Sequence, residues 1–104
     1  MILFNTTFII AKSADSDFRN WITTVYIPAI FACPSFSDIL FTKILSSPDE
    51  KEQSQSYALQ FKAPSIPHIE EWISTNGMEK LNALQAKHGE NALFFATYMD
   101  ILHQ

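Results

Sequence analysis

The chain has 104 residues, 47% of them apolar and only 17% charged, with nine phenylalanines and a net charge of −4. That length bounds it to a single domain, residues 1–104, with much surface for its volume, so this much apolar material is hard to hide in a monomer. The seven basic residues are scattered singly, which excludes the basic stripe that phosphate backbones require and sets aside nucleic acid and anionic membrane as partners.

Ile2 to Ala11, rich in Ile, Phe and Thr, reads as the first strand. Its apolar run has no charged leader and is broken by Asn5, Thr6 and Thr7, so it predicts neither a signal peptide nor a membrane span. A cytoplasmic location is the default expectation, and in that compartment the Asn5-Thr6-Thr7 sequon is a chance match.

Ser13, Asp15 or Ser16 then offers an N-cap with acidic charge at the positive end of a helix dipole. Phe18, Trp21, Ile22, Val25, Ala29 and Ala32 recur at helical spacing and predict one apolar stripe. Pro28 removes a helix bond and predicts a bend near Thr24 or Val25. Tyr26 falls at the rim of the stripe, and Ile27 and Phe31 on its far side, a contact surface that needs cover. Cys33 stands alone, so neither a disulfide framework nor a thiolate metal cluster is expected.

Phe36 to Leu45 reads as strand two, residues 46–54 as a polar hairpin loop, and Gln55 to Ala63 as a period-two strand. A second helix opens after Ser65 with Pro67 in its first turn, passes Asn76-Gly77, and stops at Gly89. Asn91 to Leu102 reads as the fourth strand, and no internal repeat is apparent. The order βαββαβ predicts an α+β ferredoxin-like fold, a four-stranded antiparallel sheet with two helices on one face.

Two helices cover only one face of such a sheet. By parity, strand one splits into Ile2, Phe4, Phe8 and Ile10 against Leu3, Ile9 and Ala11, and strand four into Phe94, Ala96, Tyr98 and Leu102 against Leu93, Phe95, Met99 and Ile101. Strand two splits into Phe36, Leu40 and Ile44 against Ile39, Phe41 and Leu45, and only strand three has a polar parity, Ser56, Gln60 and Lys62. Both faces are substantially apolar, which predicts a homodimer whose sheets pack face to face about a two-fold axis. Ile27, Phe31, Ile39 and Phe41 are the residues assigned here to the dimer or contact surface.

The opening MILFNTTF, the Trp21 helix running into Ile27-Pro28, Phe36 at a strand start, YALQF at 57–61 and HGENALFFATYMDIL at 88–102 together resemble a domain-of-unknown-function family of short bacterial proteins in the dimeric α/β-barrel superfamily. The resemblance implies a ferredoxin-like subunit that dimerises through its sheet into an α/β barrel, and it implies no established activity. Where the family pattern places a His before the Ile-Pro pair, this chain has Tyr26.

Relatives in that superfamily include cofactor-independent monooxygenases, haem-degrading enzymes and small isomerases, with pockets between sheet and helices. Asn5, Thr7, Tyr26, Trp72, His88 and Tyr98 are the residues that could line such a pocket here. Each has a plainer role: Tyr26 packs at a rim, His88 complements the dipole beside Gly89, and Asn5 satisfies a strand neighbour. No histidines have metal-site spacing, and the one Arg, Arg19, leaves no phosphate-cradling loop. The reading therefore leans away from an enzyme, with no catalytic residue, metal or cofactor assigned. It favours a homodimeric interaction or small-ligand-binding module over a monooxygenase or isomerase acting on an apolar or aromatic substrate.

Overall fold

In the computed structural model, which describes residues 1–45 and 54–104, four strands and two helices follow one another as βαββαβ. The strands are β1 (Ile2–Ala11), β2 (Ser37–Ile44), β3 (Ser54–Ala63) and β4 (Ala92–Asp100), in the antiparallel order β2-β3-β1-β4. The hairpin loop expected over 46–54 lies, apart from Ser54, outside the described residues.

β1 occupies the centre because its Ile, Phe and Thr residues fit a surface packed on both sides. It pairs without interruption with β3, from Ile2↔Ala63 to Ala11↔Ser54, and with β4, from Ile2↔Asp100 to Ile10↔Ala92. This register places Phe4, Phe8, Tyr57, Leu59 and Phe61 on the face beneath the helices, where all five are buried. Thr6 is the one buried polar side chain among the described residues, between Leu59 and Ala96 in the register.

The edge strand β2 departs from simple alternation. Ser37 pairs with Lys62 but Leu40 pairs with Gln60, so three steps on β2 match two on β3. Asp38, with φ 52°, takes up the extra residue, in a left-handed conformation that a short polar side chain tolerates better than most. The bulge reverses phase along the strand. Phe36 therefore shares the helix face with Ile39 and Phe41, while Leu40, Thr42 and Ile44 turn to the opposite side.

The first helix, α1, is continuous over residues 15–31 but not uniform: α-helical Asp15–Trp21, a π turn Ile22–Tyr26, then α-helical Ile27–Phe31. The second, α2, repeats the plan over residues 66–88, with a π turn Ile73–Gly77 between Ile66–Trp72 and Met78–His88. In both, the amide closing the π turn reaches back five residues, Ile27 to the Ile22 carbonyl and Met78 to the Ile73 carbonyl. Thr23 and Thr24 donate to the carbonyls of Arg19 and Asn20 (2.8 and 2.6 Å), and Ser74 and Thr75 both donate to that of Glu71 (3.0 and 2.7 Å). Ser and Thr hydroxyls thus supply donors to the turn preceding each insertion.

Those residues are the matched tetrads Trp21-Ile22-Thr23-Thr24 and Trp72-Ile73-Ser74-Thr75. The two halves of the fold thus carry one helix-insertion motif each. Pro28 sits in the first turn of the segment that follows the π turn, and the π turn itself spans Thr24 and Val25, where the sequence predicts a bend.

The insertion also moves the buried stripe. Ala14, Phe18, Ile22, Tyr26 and Ile30 are the buried residues, whereas Val25 is exposed and Ala29 only half-buried. Four-residue spacing drifts about 40° per step on a regular α-helix. The extra residue of the π turn takes up much of that drift, which keeps Tyr26 and Ile30 facing the sheet. Ile27, expected to point outward, packs partly against the core, while Phe31 does face outward and is 68% exposed.

Gly77 is a packing position rather than a kink, with an ordinary helical φ of −65°. A Cβ built there would stand 2.5 Å from Cζ3 of Trp72. The absent side chain lets the indole lie against the helix backbone and reach Tyr26, Phe36 and Phe61 edge-on.

Candidate functional site

The six residues expected to line one pocket occupy four places. Asn5 and Thr7 stand on the face away from the helices, where Asn5 Nδ2 donates to Thr7 Oγ1 at 3.0 Å. Tyr26 and Trp72 meet inside the core, with ring centroids 5.6 Å apart. His88 ends α2 beside a small cleft of about 180 Å³ shared with Asp17, Trp21 and Lys87. Tyr98 lies on the helix side of the β4 edge, against Phe4 at 5.0 Å and beside a groove of about 450 Å³ under α2. Sequence parity alone separates Asn5 and Thr7 from Tyr98, because β1 and β4 pair Phe4 with Tyr98.

Tyr26 is not at a rim but buried, stacked on Trp21 at 5.0 Å and edge-on to Phe8 and Trp72. Burial pushes its phenol pKa well above the ordinary value. The unfolded chain releases this proton near pH 10 while the folded protein retains it. Its contribution is therefore complete below about pH 10 and is lost as pH rises, by about 1.4 kcal/mol per pH unit. Urea unfolding at pH 8, 10 and 11 should show this loss, and Tyr26→Phe should flatten it while leaving stability at pH 8 nearly unchanged. An unaltered slope in the variant would assign the loss to other groups.

The layer between the sheet and the helices is occupied by aromatic and aliphatic side chains. Phe8, Phe18, Ile22, Leu59, Ile69 and Leu84 are among its buried members, and Phe36 stacks on Phe61 at 4.2 Å. Among the described residues, two buried side-chain polar atoms have no partner, the indole Nε1 of Trp72 and Oε1 of Gln55 on β3. At the layer's margin Tyr57 donates to Asp15 and accepts from Arg19 Nε at 3.0 Å, pinning the start of α1 to β3. The Tyr57 pKa is raised by burial first and by the Asp15 hydrogen bond second.

The opposite face has a different character. Leu40, Ile44, Leu93, Phe95 and Met99 are exposed on it, with Leu3 and Ile9 half-buried between them. Asn5, Thr7, Gln60 and Thr97 form a narrower polar band across its middle. Ile39 and Phe41, assigned from the sequence to a contact surface, are not on this face: the β2 bulge turns them into the core and brings Leu40 and Ile44 out. Phe31 is exposed, but on the helix side of the molecule.

Residues 1–102 match the family described as "Domain of unknown function (DUF4286)". The chain belongs to the DUF4286 family. A search of curated proteins finds no match. Solved structures with the same fold include a Deinococcus radiodurans protein assigned to the antibiotic biosynthesis monooxygenases, 14% identical, with a TM-score of 0.76 over 100% of this chain and 95% of that one. An EthD (ethyl tert-butyl ether) family protein from Bacillus halodurans is 12% identical, with a TM-score of 0.69 over 97% and 100%. A de novo designed protein is 7% identical, with a TM-score of 0.60 over 96% and 97%.

These neighbours show that this DUF4286 chain has the ferredoxin-like architecture found in antibiotic biosynthesis monooxygenase-type proteins. The designed neighbour shows that the same architecture forms without any evolved activity, so fold alone assigns no chemistry. Among the described residues, no helix is long and apolar enough to cross a membrane.

Proposed function

We propose that the protein works as a homodimer closed through its open sheet face, as an α/β barrel whose role is binding, either of another molecule's surface or of a small apolar ligand. The observation that carries this reading is the exposed set Leu40, Ile44, Leu93, Phe95 and Met99 on one side of a single sheet. Isolated exposed apolar residues are ordinary, but five on one face form a patch of the kind that interfaces cover. A two-fold axis through that face brings the patch onto its own copy and leaves the polar band near the axis, where Asn5 and Thr7 meet their counterparts. Binding rather than catalysis is supported by the packing of Tyr26 and Trp72 into the core and by the separation of His88 from both.

Multi-angle light scattering at micromolar concentration tests the assembly. A mass near twice 11.9 kDa is expected, and a monomer across the accessible concentration range would overturn the reading.

A second reading is a small cofactor-independent monooxygenase or isomerase acting on an apolar or aromatic substrate. It is favoured by the Deinococcus neighbour and by the Nε1–H of Trp72, a buried donor left without an acceptor. Incubation of the purified protein with aromatic candidate substrates in air separates the two: oxygenated or isomerised product, lost in Trp72→Phe, favours the second, and substrates recovered unchanged favour the first.

A further inference from the structure

The open face of the sheet is patterned in rows that run across the strands. Leu3 and Met99 share the row at one end, and Ile44, Ile9 and Leu93 the row at the other. Between them Gln60, Asn5 and Thr97 form one row, and Ala58 and Thr7 fall in the next. Both ends are therefore apolar, and the centre of the face lies between Asn5, Gln60, Thr7 and Ala58. The charges at its corner, Lys62 and Asp38, pair with each other at 2.9 Å, and the rows are otherwise uncharged.

This pattern fits a second copy of the chain. Four strands about 4.8 Å apart and rows spanning seven residues cover roughly 20 by 24 Å, which with side-chain relief approaches the ~800 Å² per subunit of a stable complex. A chain of net charge −4 repels its own copy, so a self-contact belongs on a neutral surface, and this face is neutral. The pattern is also self-complementary. A two-fold axis through the centre, lying in the interface along the strands or across them, sets apolar ends on apolar ends and polar centre on polar centre.

The centre has a part of its own in such a contact. On a two-fold axis each group meets its own copy, so a polar group is satisfied there only if it both donates and accepts. The Asn5 carboxamide does both. One Nδ2 hydrogen goes to Thr7 Oγ1 at 3.0 Å, which holds the side chain, and the second hydrogen with Oδ1 suffices for a reciprocal pair with another carboxamide. A valine there would suit a strand and add apolar contact, so the polarity serves orientation more than affinity. Given the sheet-face dimer, on which this rests, we infer that Asn5 fixes the orientation of the two subunits, its carboxamide pairing with that of the partner subunit's Asn5 across the two-fold axis.

Charge-swapped variants test this. Asn5→Asp and Asn5→Lys each put two like charges on the axis, so each alone should dimerise at least about a hundredfold more weakly and give a folded monomer at micromolar concentration. An equimolar mixture of the two should recover the dimer as a one-to-one heterodimer, resolved by mass in native mass spectrometry. Dimers from either variant alone, or two folded monomers that stay apart when mixed, overturn the proposal, because Asn5 then does not meet its counterpart. Asn5→Val gives an independent reading. It should dimerise at least as tightly as the wild type, yet show more than one set of Phe95 amide resonances where the wild type shows one. A single set in that variant overturns the orienting role while leaving the dimer intact, whereas a monomeric wild type overturns the dimer itself.

Discussion

Phe95→Asp should turn a dimer of this protein into a folded monomer. Phe95 is 54% exposed on β4, opposite Thr7 of β1 and on the same face as Leu93 and Met99. Burying a phenylalanine side chain at an interface is worth about 1.5–3 kcal/mol, and two-fold symmetry counts it twice. The aspartate must also enter an apolar contact as an unpaired charge, which adds to the loss. Together these raise the dissociation constant by roughly a thousandfold or more, enough to give a monomer at micromolar concentration. Because Phe95 makes its contact outside the monomer core, circular dichroism and the melting curve of the monomer should stay close to normal. Phe31→Asp is the matched control: it is still more exposed, at 68%, but lies at the end of α1. Loss of the dimer in Phe31→Asp and not in Phe95→Asp would move the interface from the sheet to α1.

Much of this surface was legible in the residues, and the failures have physical causes. β1, β3 and β4 alternate regularly, so parity alone assigns Phe4, Phe8, Leu59 and Phe61 to one side and Leu3, Ile9, Leu93 and Phe95 to the other. β2 does not, because the Asp38 bulge inserts one residue and reverses every assignment after it. No glycine marks that bulge, so the pattern FSDIL gives little warning.

The helix stripe failed in the same way. A π turn is an inserted residue in a helix as a bulge is in a strand, and it brought Tyr26 from the expected rim to the core and took Val25 out of it. A signal for it was present: Trp-Ile-Thr-Thr and Trp-Ile-Ser-Thr recur at the same place in the two helices, each followed within four residues by Pro28 or Gly77. The candidate pocket residues scattered because chemical type, not register, had selected them. Asn5 and Tyr98 are both polar-tipped, yet the sheet lies between them.

The insertion in α2 leads to a result of unusual sign. Gly→Ala in a helix normally stabilises by about 0.5–1 kcal/mol, because alanine has less backbone freedom to lose. Gly77→Ala should instead destabilise by about 1–3 kcal/mol, since the new methyl would stand 2.5 Å from Cζ3 of Trp72 and push the ring off its seat. The ring has little room to yield: Tyr26, Phe36 and Phe61 surround it, and Trp72 is only 6% exposed. A double-mutant cycle with Trp72→Leu isolates the cause, because leucine has no atoms at the Cζ3 position. Trp72→Leu alone should cost about 2–4 kcal/mol for the lost packing. In that background Gly77→Ala should become neutral or stabilising, giving a coupling of at least about 1.5 kcal/mol in equilibrium urea unfolding. If alanine costs the same with and without the indole, the glycine serves the π turn itself and not the seat of Trp72.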